Sequence, residues 1–222
     1  TFQNAVEALT TEAWIRPDAI GSYQAILFKG QRAAEIDAVH FHFGLADGKP
    51  EFKFKDAENV WRGLYRGTRY PLPVVPLGRW SHVAATFDKG KVCLYLDGRR
   101  AASAQTQPER LLPNVLPLGI GEGQAPGGGR AFEMSGLIDD VKIYDRALDP
   151  EQIAKEYQAG RGRHSESAVV AAAPDTQPVP RLDQKLPLVE RYEKAIPKDT
   201  IGRGPTTAAV RPYQGVPALY IN

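Results

Sequence analysis

The chain has 222 residues, 42% of them hydrophobic, and a formal charge of +2, which suits one all-β domain or two small ones. Near-balanced charge excludes the strong field of a nucleic-acid or anionic-membrane binder, and Cys93, the single cysteine, excludes an intrachain disulfide and a thiolate-rich zinc site. No run approaches the roughly 20 apolar residues of a membrane span, and an opening on Thr1 without initiator Met or signal peptide reads as a fragment or a processed form.

Residues 1–160 carry short apolar runs separated by Gly, Pro and Asp turns, the pattern of an all-β domain. The first strand is expected over 8–16, stopped by Pro17-Asp18, and a second over 25–29. Residues 38–45 alternate and turn through Asp47-Gly48 into 51–55. A second hairpin joins 80–88 to 91–97, and Asp97-Gly98 turns the chain into 99–103. A short strand at 116–121 precedes a Gly-rich loop over 122–130. From 137 to 143 period two places Leu137, Asp139, Val141 and Ile143 on one face, with Ile138, Asp140, Lys142 and Tyr144 on the other. Asp149 then caps a helix with Pro150 at N1, Gln152 placed to close a capping box, and Gly160 at its end.

Beyond 160 periodicity is lost. Residues 161–205 read as a Pro/Ala-rich linker, with a brief helix at 186–196, and 206–222 as the first strand of a further domain. The element order predicts an antiparallel β-sandwich closed by one short C-terminal helix and followed by that linker.

Four motifs stand in order: Glu12-Ala13-Trp14-Ile15; Trp80-Ser81-His82-Val83-Ala84-Ala85-Thr86-Phe87-Asp88; Leu94-Tyr95-Leu96-Asp97-Gly98; and Gly136-Leu137-Ile138-Asp139-Asp140-Val141 running on to Leu148. Over residues 5–160 the chain thereby resembles the laminin-G-like, concanavalin A-like jelly-roll domains, found as accessory modules in bacterial carbohydrate-active enzymes. The resemblance implies a jelly-roll sandwich, a secreted, periplasmic or cell-surface setting, and a covalently linked or neighbouring catalytic domain. One fold of this kind hosts lectins, glycosidases and spacers alike. The extra N-terminal strand usual in such domains is expected to be either missing or supplied from elsewhere, since only TFQNAVEA precedes the Glu-Ala-Trp strand.

The resemblance also implies a structural calcium ion near Asp139, with Asn4 or Glu7 standing in for the missing second carboxylate. The alternative is that Asp139 accepts backbone N–H groups at a sheet corner. For sugar binding, flat aromatics beside hydrogen-bonding side chains point to residues 56–70, with Trp61, Tyr65, Tyr70, Arg62 and Asn59 as candidate ligand contacts. The competing reading plugs Trp61 and Tyr65 into the core. Glu35-Ile36-Asp37 resembles part of a glucanase catalytic strand but lacks its second Glu, Val39 and His40 standing where that would be. His40 and His42, at i and i+2, offer two ligands on one strand face, too few for a transition metal. The preferred function is therefore a non-catalytic carbohydrate-binding module that takes a poly- or oligosaccharide. The alternative is a structural or protein-interaction module.

Overall fold

A computed structural model describes residues 5–31, 38–68, 70–125, 129–165, 208–213 and 216–221. Its first sheet holds β12 (Gly136–Tyr144), β1 (Ala8–Pro17), β6 (Ser81–Asp88), β7 (Lys91–Leu96) and β8 (Arg99–Gln105), in that order. Its second holds β5 (Trp61–Leu64), β4 (Lys49–Lys55), β3 (Ala38–Ala46), β2 (Gln24–Gln31) and β9 (Leu118–Ile120). Every pairing is antiparallel. The fold is the expected jelly-roll β-sandwich with one short helix, α1 (Pro150–Arg161). Two further strands, β10 (Gly123–Gln124) and β11 (Arg130–Ala131), pair inside the segment expected to be a plain loop. Residues 56–70 contain β5.

The core lies between the sheets. Ile15, Val83, Phe87 and Leu94 from the first sheet meet Ile26, Leu27, Phe41, Phe43, Phe52 and Phe54 from the second, all essentially buried. Alternation in β3 and β4 leaves His42, Glu51, Lys53 and Lys55 on the opposite, outer face. Edge strand β5 follows β4 closely: Gly63 sits at φ 117 with the Phe52 carbonyl where a Cβ would be, so only glycine fits there.

Two of the register shifts reverse faces that the sequence periodicity assigns. In β12, Trp14 pairs with Asp139 and Glu12 with Lys142, so two residues of β12 oppose Ala13 alone, and Asp140 takes φ 48. The extra residue flips the faces: Ile138, Val141 and Ile143 pack on the core, while Asp139, Lys142 and Tyr144 point outward. Asp139 therefore does not share a face with Val141 and Ile143. In β3, Lys29 pairs with Phe41 and Gly30 with Val39, leaving His40 as the extra residue. His40 bonds the Leu112 carbonyl, and Val39, not His40, joins His42 on the outer face.

Helix α1 forms as its capping box predicts, with Asp149 accepting from the Gln152 amide and Gln152 returning to the Asp149 amide. It packs on the outer face of the first sheet, where Leu148 and Ile153 cover Ala84, Cys93 and Tyr95. Trp14 is buried in this second layer. Past residue 160 the chain turns back and buries His164. The proposed helix at 186–196 and most of the 161–205 linker lie outside the described residues. At the C-terminal end β13 (Ala208–Tyr213) and β14 (Val216–Ile221) pair as a hairpin, where a single strand was expected.

Candidate functional site

A hollow of about 140 Å³ opens on the outer face of the second sheet. Its walls are Tyr23, Phe28, Trp61 and Phe132, with Val39, His42 and Lys53 completing it. Each comes from a different part of the chain. Phe28 and His42 are cross-strand partners on β2 and β3, and Lys53 pairs with His42 from β4. Trp61 stands opposite Lys55 on β5. Phe132 is brought over β2 by a bond from the Ala25 amide to its carbonyl, 2.7 Å. The rings support one another: Phe28–Phe132, Phe28–His42 and His42–Phe132 centroids lie 5.9, 5.7 and 5.7 Å apart.

The polar part of the site is held as firmly. Glu51 is 1% exposed, and one of its carboxylate oxygens lies 2.5 Å from Lys53 Nζ and 3.1 Å from His42 Nδ1. Burial would raise the Glu51 pKa, but the His42 hydrogen bond and the adjacent Lys53 ammonium outweigh it and hold the carboxyl below its ordinary 4.5. Burial dominates at His42 and pushes its pKa below 6.5 against the pull of Glu51. Lys53 Nζ also lies over the Tyr23 ring, 4.2 Å from its centroid, and 5.1 Å from that of Trp61. A flat apolar wall with a fixed ammonium and a carboxylate beside it can stack on a sugar ring and hydrogen-bond its oxygens. At 140 Å³ the hollow falls below the roughly 300 Å³ of drug-sized pockets; it has room for one ring.

The five candidate ligand residues do not form one platform. Trp61 lines this hollow. Tyr65 and Tyr70 line a neighbouring hollow of about 100 Å³, together with Glu51 and Arg66. Arg62, next to Trp61, points the other way by strand alternation; its Nε donates to Asp56 at 2.7 Å and it faces a third hollow. Asn59 sits exposed at the turn tip with φ 61, where its backbone amide donates to the Asp56 carbonyl at 3.0 Å and its carbonyl accepts from Lys55 Nζ at 2.8 Å. Tyr23, Phe28, Lys53 and Phe132 escaped sequence reasoning because they are scattered over more than a hundred residues. The Glu51–Lys53 alternation on one strand face was the legible hint. Glu35 and Asp37 lie outside the described residues.

At Asp139 the donors do not fit calcium. The carboxylate accepts from His164 Nε2 at 3.0 Å and from the Asp140 amide at 2.8 Å, while Asp140 pairs with Arg163. The His164 hydrogen bond, opposed by burial and aided by the Asp140 amide, lowers the Asp139 pKa. Calcium needs six to eight oxygens; here the neighbours are cationic or N–H donors, and among the described residues no cluster of three His, Cys, Asp or Glu forms. Glu7 lies at the far end of β1, about 20 Å away at ~3.3 Å per residue, and Asn4 lies outside the described residues. Asp139 instead takes one backbone N–H, that of Asp140, and the His164 imidazole, within the bulged strand β12. Its bulge directs it to His164, which in turn stacks on Trp14.

No helix among the described residues is long and apolar enough to cross a membrane. No curated protein sequence matches the chain. Among solved structures, domain 4 of AbnA, an extracellular arabinanase from Geobacillus stearothermophilus solved with arabinotriose, is 19% identical with a TM-score of 0.52; the match covers 68% of this chain and 66% of that one. A heptameric SAP-like pentraxin from Limulus polyphemus is 20% identical with a TM-score of 0.50, over 68% and 70% of the two chains. These likenesses establish the fold. Residues 2–154 match the family model of the concanavalin A-like lectin/glucanases superfamily, of laminin G type, and with two sandwiched five-stranded sheets behind that match, the chain belongs to this superfamily.

Proposed function

We propose that the chain is a non-catalytic glycan-binding module whose sugar-stacking surface is the aromatic hollow around Trp61, and that it serves an exported glycan-processing enzyme. The observation that carries the reading is the convergence of Tyr23, Phe28, Trp61 and Phe132 on a fixed Lys53–Glu51 pair at the face of a rigid sheet. Hydrolysis of glycosides needs two carboxyl groups free to move protons; Glu51 is buried and committed to Lys53 and His42, which favours binding over chemistry. The arabinotriose seen with the arabinanase domain makes arabinan one sensible probe. Tethering such a module to a catalytic domain raises that domain's local concentration on a polymer.

The test is affinity electrophoresis of the chain against a panel of arabinan, xylan, β-glucan, pectin and pullulan, repeated with Trp61→Ala. Retardation by at least one polymer, lost in the variant, supports the reading. Passage through every gel, or retardation that survives Trp61→Ala, sinks it. A second reading, a protein-docking module, draws on one observation: Ile20, Val74 and Leu77 are 55%, 49% and 45% exposed, with Ile20 and Val74 meeting over Gly48.

A further inference from the structure

We propose that the Trp61 hollow and the neighbouring hollow of Tyr65 and Tyr70 are two subsites of one cleft, which takes a run of linked sugars across the outer face of the second sheet; this rests on the glycan-binding reading of the Trp61 hollow. The two hollows follow one another along β4. Lys53 lines the first and Glu51 the second, two residues apart on the outward face of that strand and so about 7 Å apart along it. At about 140 and 100 Å³, each takes a single ring. Each also shows aromatic surface to solvent: Tyr23 is 38% exposed at the first and Tyr70 42% at the second.

Three contacts turn the boundary between the hollows into a shared wall. Glu51 directs one carboxylate oxygen to Lys53 and His42, which line the first hollow, and its other oxygen accepts from the Arg66 amide of the second at 3.4 Å. The Tyr23 ring has Lys53 Nζ 4.2 Å from its centroid and the Arg66 guanidinium 5.9 Å from it. Tyr65 donates its hydroxyl to the Trp61 carbonyl at 3.3 Å, which pins a ring of the second hollow to the strand that carries the stacking surface of the first. The subsites are thus fixed relative to each other before a ligand arrives. A sugar held in one presents its neighbour to the other at an effective concentration set by a short glycosidic link. At the second subsite Tyr70 is the stacking surface. Beside it stand Arg66 and Asp47, paired at 3.0 Å with both side chains about half exposed, N–H donors next to carboxylate acceptors, which is what neighbouring sugar hydroxyls match. A single sugar fills one hollow only, so chain length is the property this cleft selects.

The experiment is an NMR titration of the nitrogen-labelled whole chain with arabinose, xylose, glucose and galacturonate, and with the linear tetrasaccharides of each. The expected result is that at least one tetrasaccharide moves both the Trp61 indole signal and the Arg66 amide signal, and binds at least about tenfold tighter than its monosaccharide. Tyr70→Ala should lower the tetrasaccharide to the affinity of the monosaccharide and leave the monosaccharide unchanged. Since Tyr70 is exposed, an unchanged Tm shows that this variant is folded. A tetrasaccharide no tighter than its monosaccharide, or one whose affinity survives Tyr70→Ala, overturns the two-subsite cleft and leaves the Trp61 reading standing. If no sugar moves any signal, the glycan-binding reading itself falls.

Discussion

His164 lies flat against Trp14, the ring centroids 4.3 Å apart and the planes 7° from parallel. Trp80 meets the same imidazole edge-on at 4.9 Å, and Asp139 and the Gly160 carbonyl bind its two nitrogens. One residue beyond α1 thus locks the helix onto the first sheet through stacking and hydrogen bonds together. His164→Ala is expected to cost about 1–3 kcal/mol of folding stability, read from urea denaturation. A chain truncated after Arg161 should lose a similar amount. No change in either would show that the cluster stabilises nothing.

Gly160 offers a sharper test because two effects oppose each other. Replacing a helical glycine by alanine ordinarily stabilises by about 1 kcal/mol. Here the added Cβ would fall 2.2 Å from Trp14 Nε1, so the helix must move off the indole. Gly160→Ala should therefore destabilise by roughly 1–3 kcal/mol. A gain in Tm would refute the close approach.

Calcium should leave the protein indifferent. A ligand that binds only the folded chain raises Tm, and the donors around Asp139 are already occupied by His164 and the Asp140 amide. Thermal unfolding in EDTA and in excess calcium should coincide. Asp139→Asn should lower Tm by the same amount in both. A calcium-dependent shift abolished by that change would restore the metal site.

Acid should weaken the fold well before the carboxylates titrate. Burial, against the Leu112 carbonyl bond and with help from Lys29, lowers the His40 pKa from 6.5 to about 4. Between those values the unfolded chain binds more protons than the folded one, so stability is full above pH 6.5 and falls as pH drops towards 4. At 1.36 kcal/mol per unit, the loss is about 3 kcal/mol. His42 shifts in the same direction, so His40→Asn should flatten the slope without removing it. Glu12, Glu51 and Asp139, all lowered, add a second loss only below their ordinary range. Denaturation midpoints measured from pH 4 to 8 decide it; a flat profile there contradicts the buried histidines.

Within the 56–70 stretch, substitutions should separate cleanly. Trp61→Ala is expected to lower glycan affinity at least tenfold, a loss of the size given by removing one stacking aromatic. Arg62→Ala and Asn59→Ala should leave it within about twofold, since neither lines the hollow and exposed pairs contribute little. Titration with whichever polymer the panel identifies measures all three. Equal losses would mean that the whole turn is the platform.

The local signals in the chain were sufficient for much of this molecule. Alternation over 38–45 and 51–55, the Asp47-Gly48 turn and the Asp149/Gln152 capping box each act within a few residues, and each produces the expected element. Trp61, a candidate from the 56–70 stretch, does line the hollow. Asp139 and His40 were assigned to the wrong faces because period two carries information only as far as the next bulge. An extra residue opposite Ala13 and another between Lys29 and Gly30 reverse the pleat, and bulges arise from pairing with a neighbouring strand. The hollow itself depends on sheet order. Tyr23, Phe28, Lys53, Trp61 and Phe132 meet because β2 to β5 lie side by side and the Phe132 segment crosses β2, a placement set by burial of two hydrophobic faces against each other and not by any local pattern.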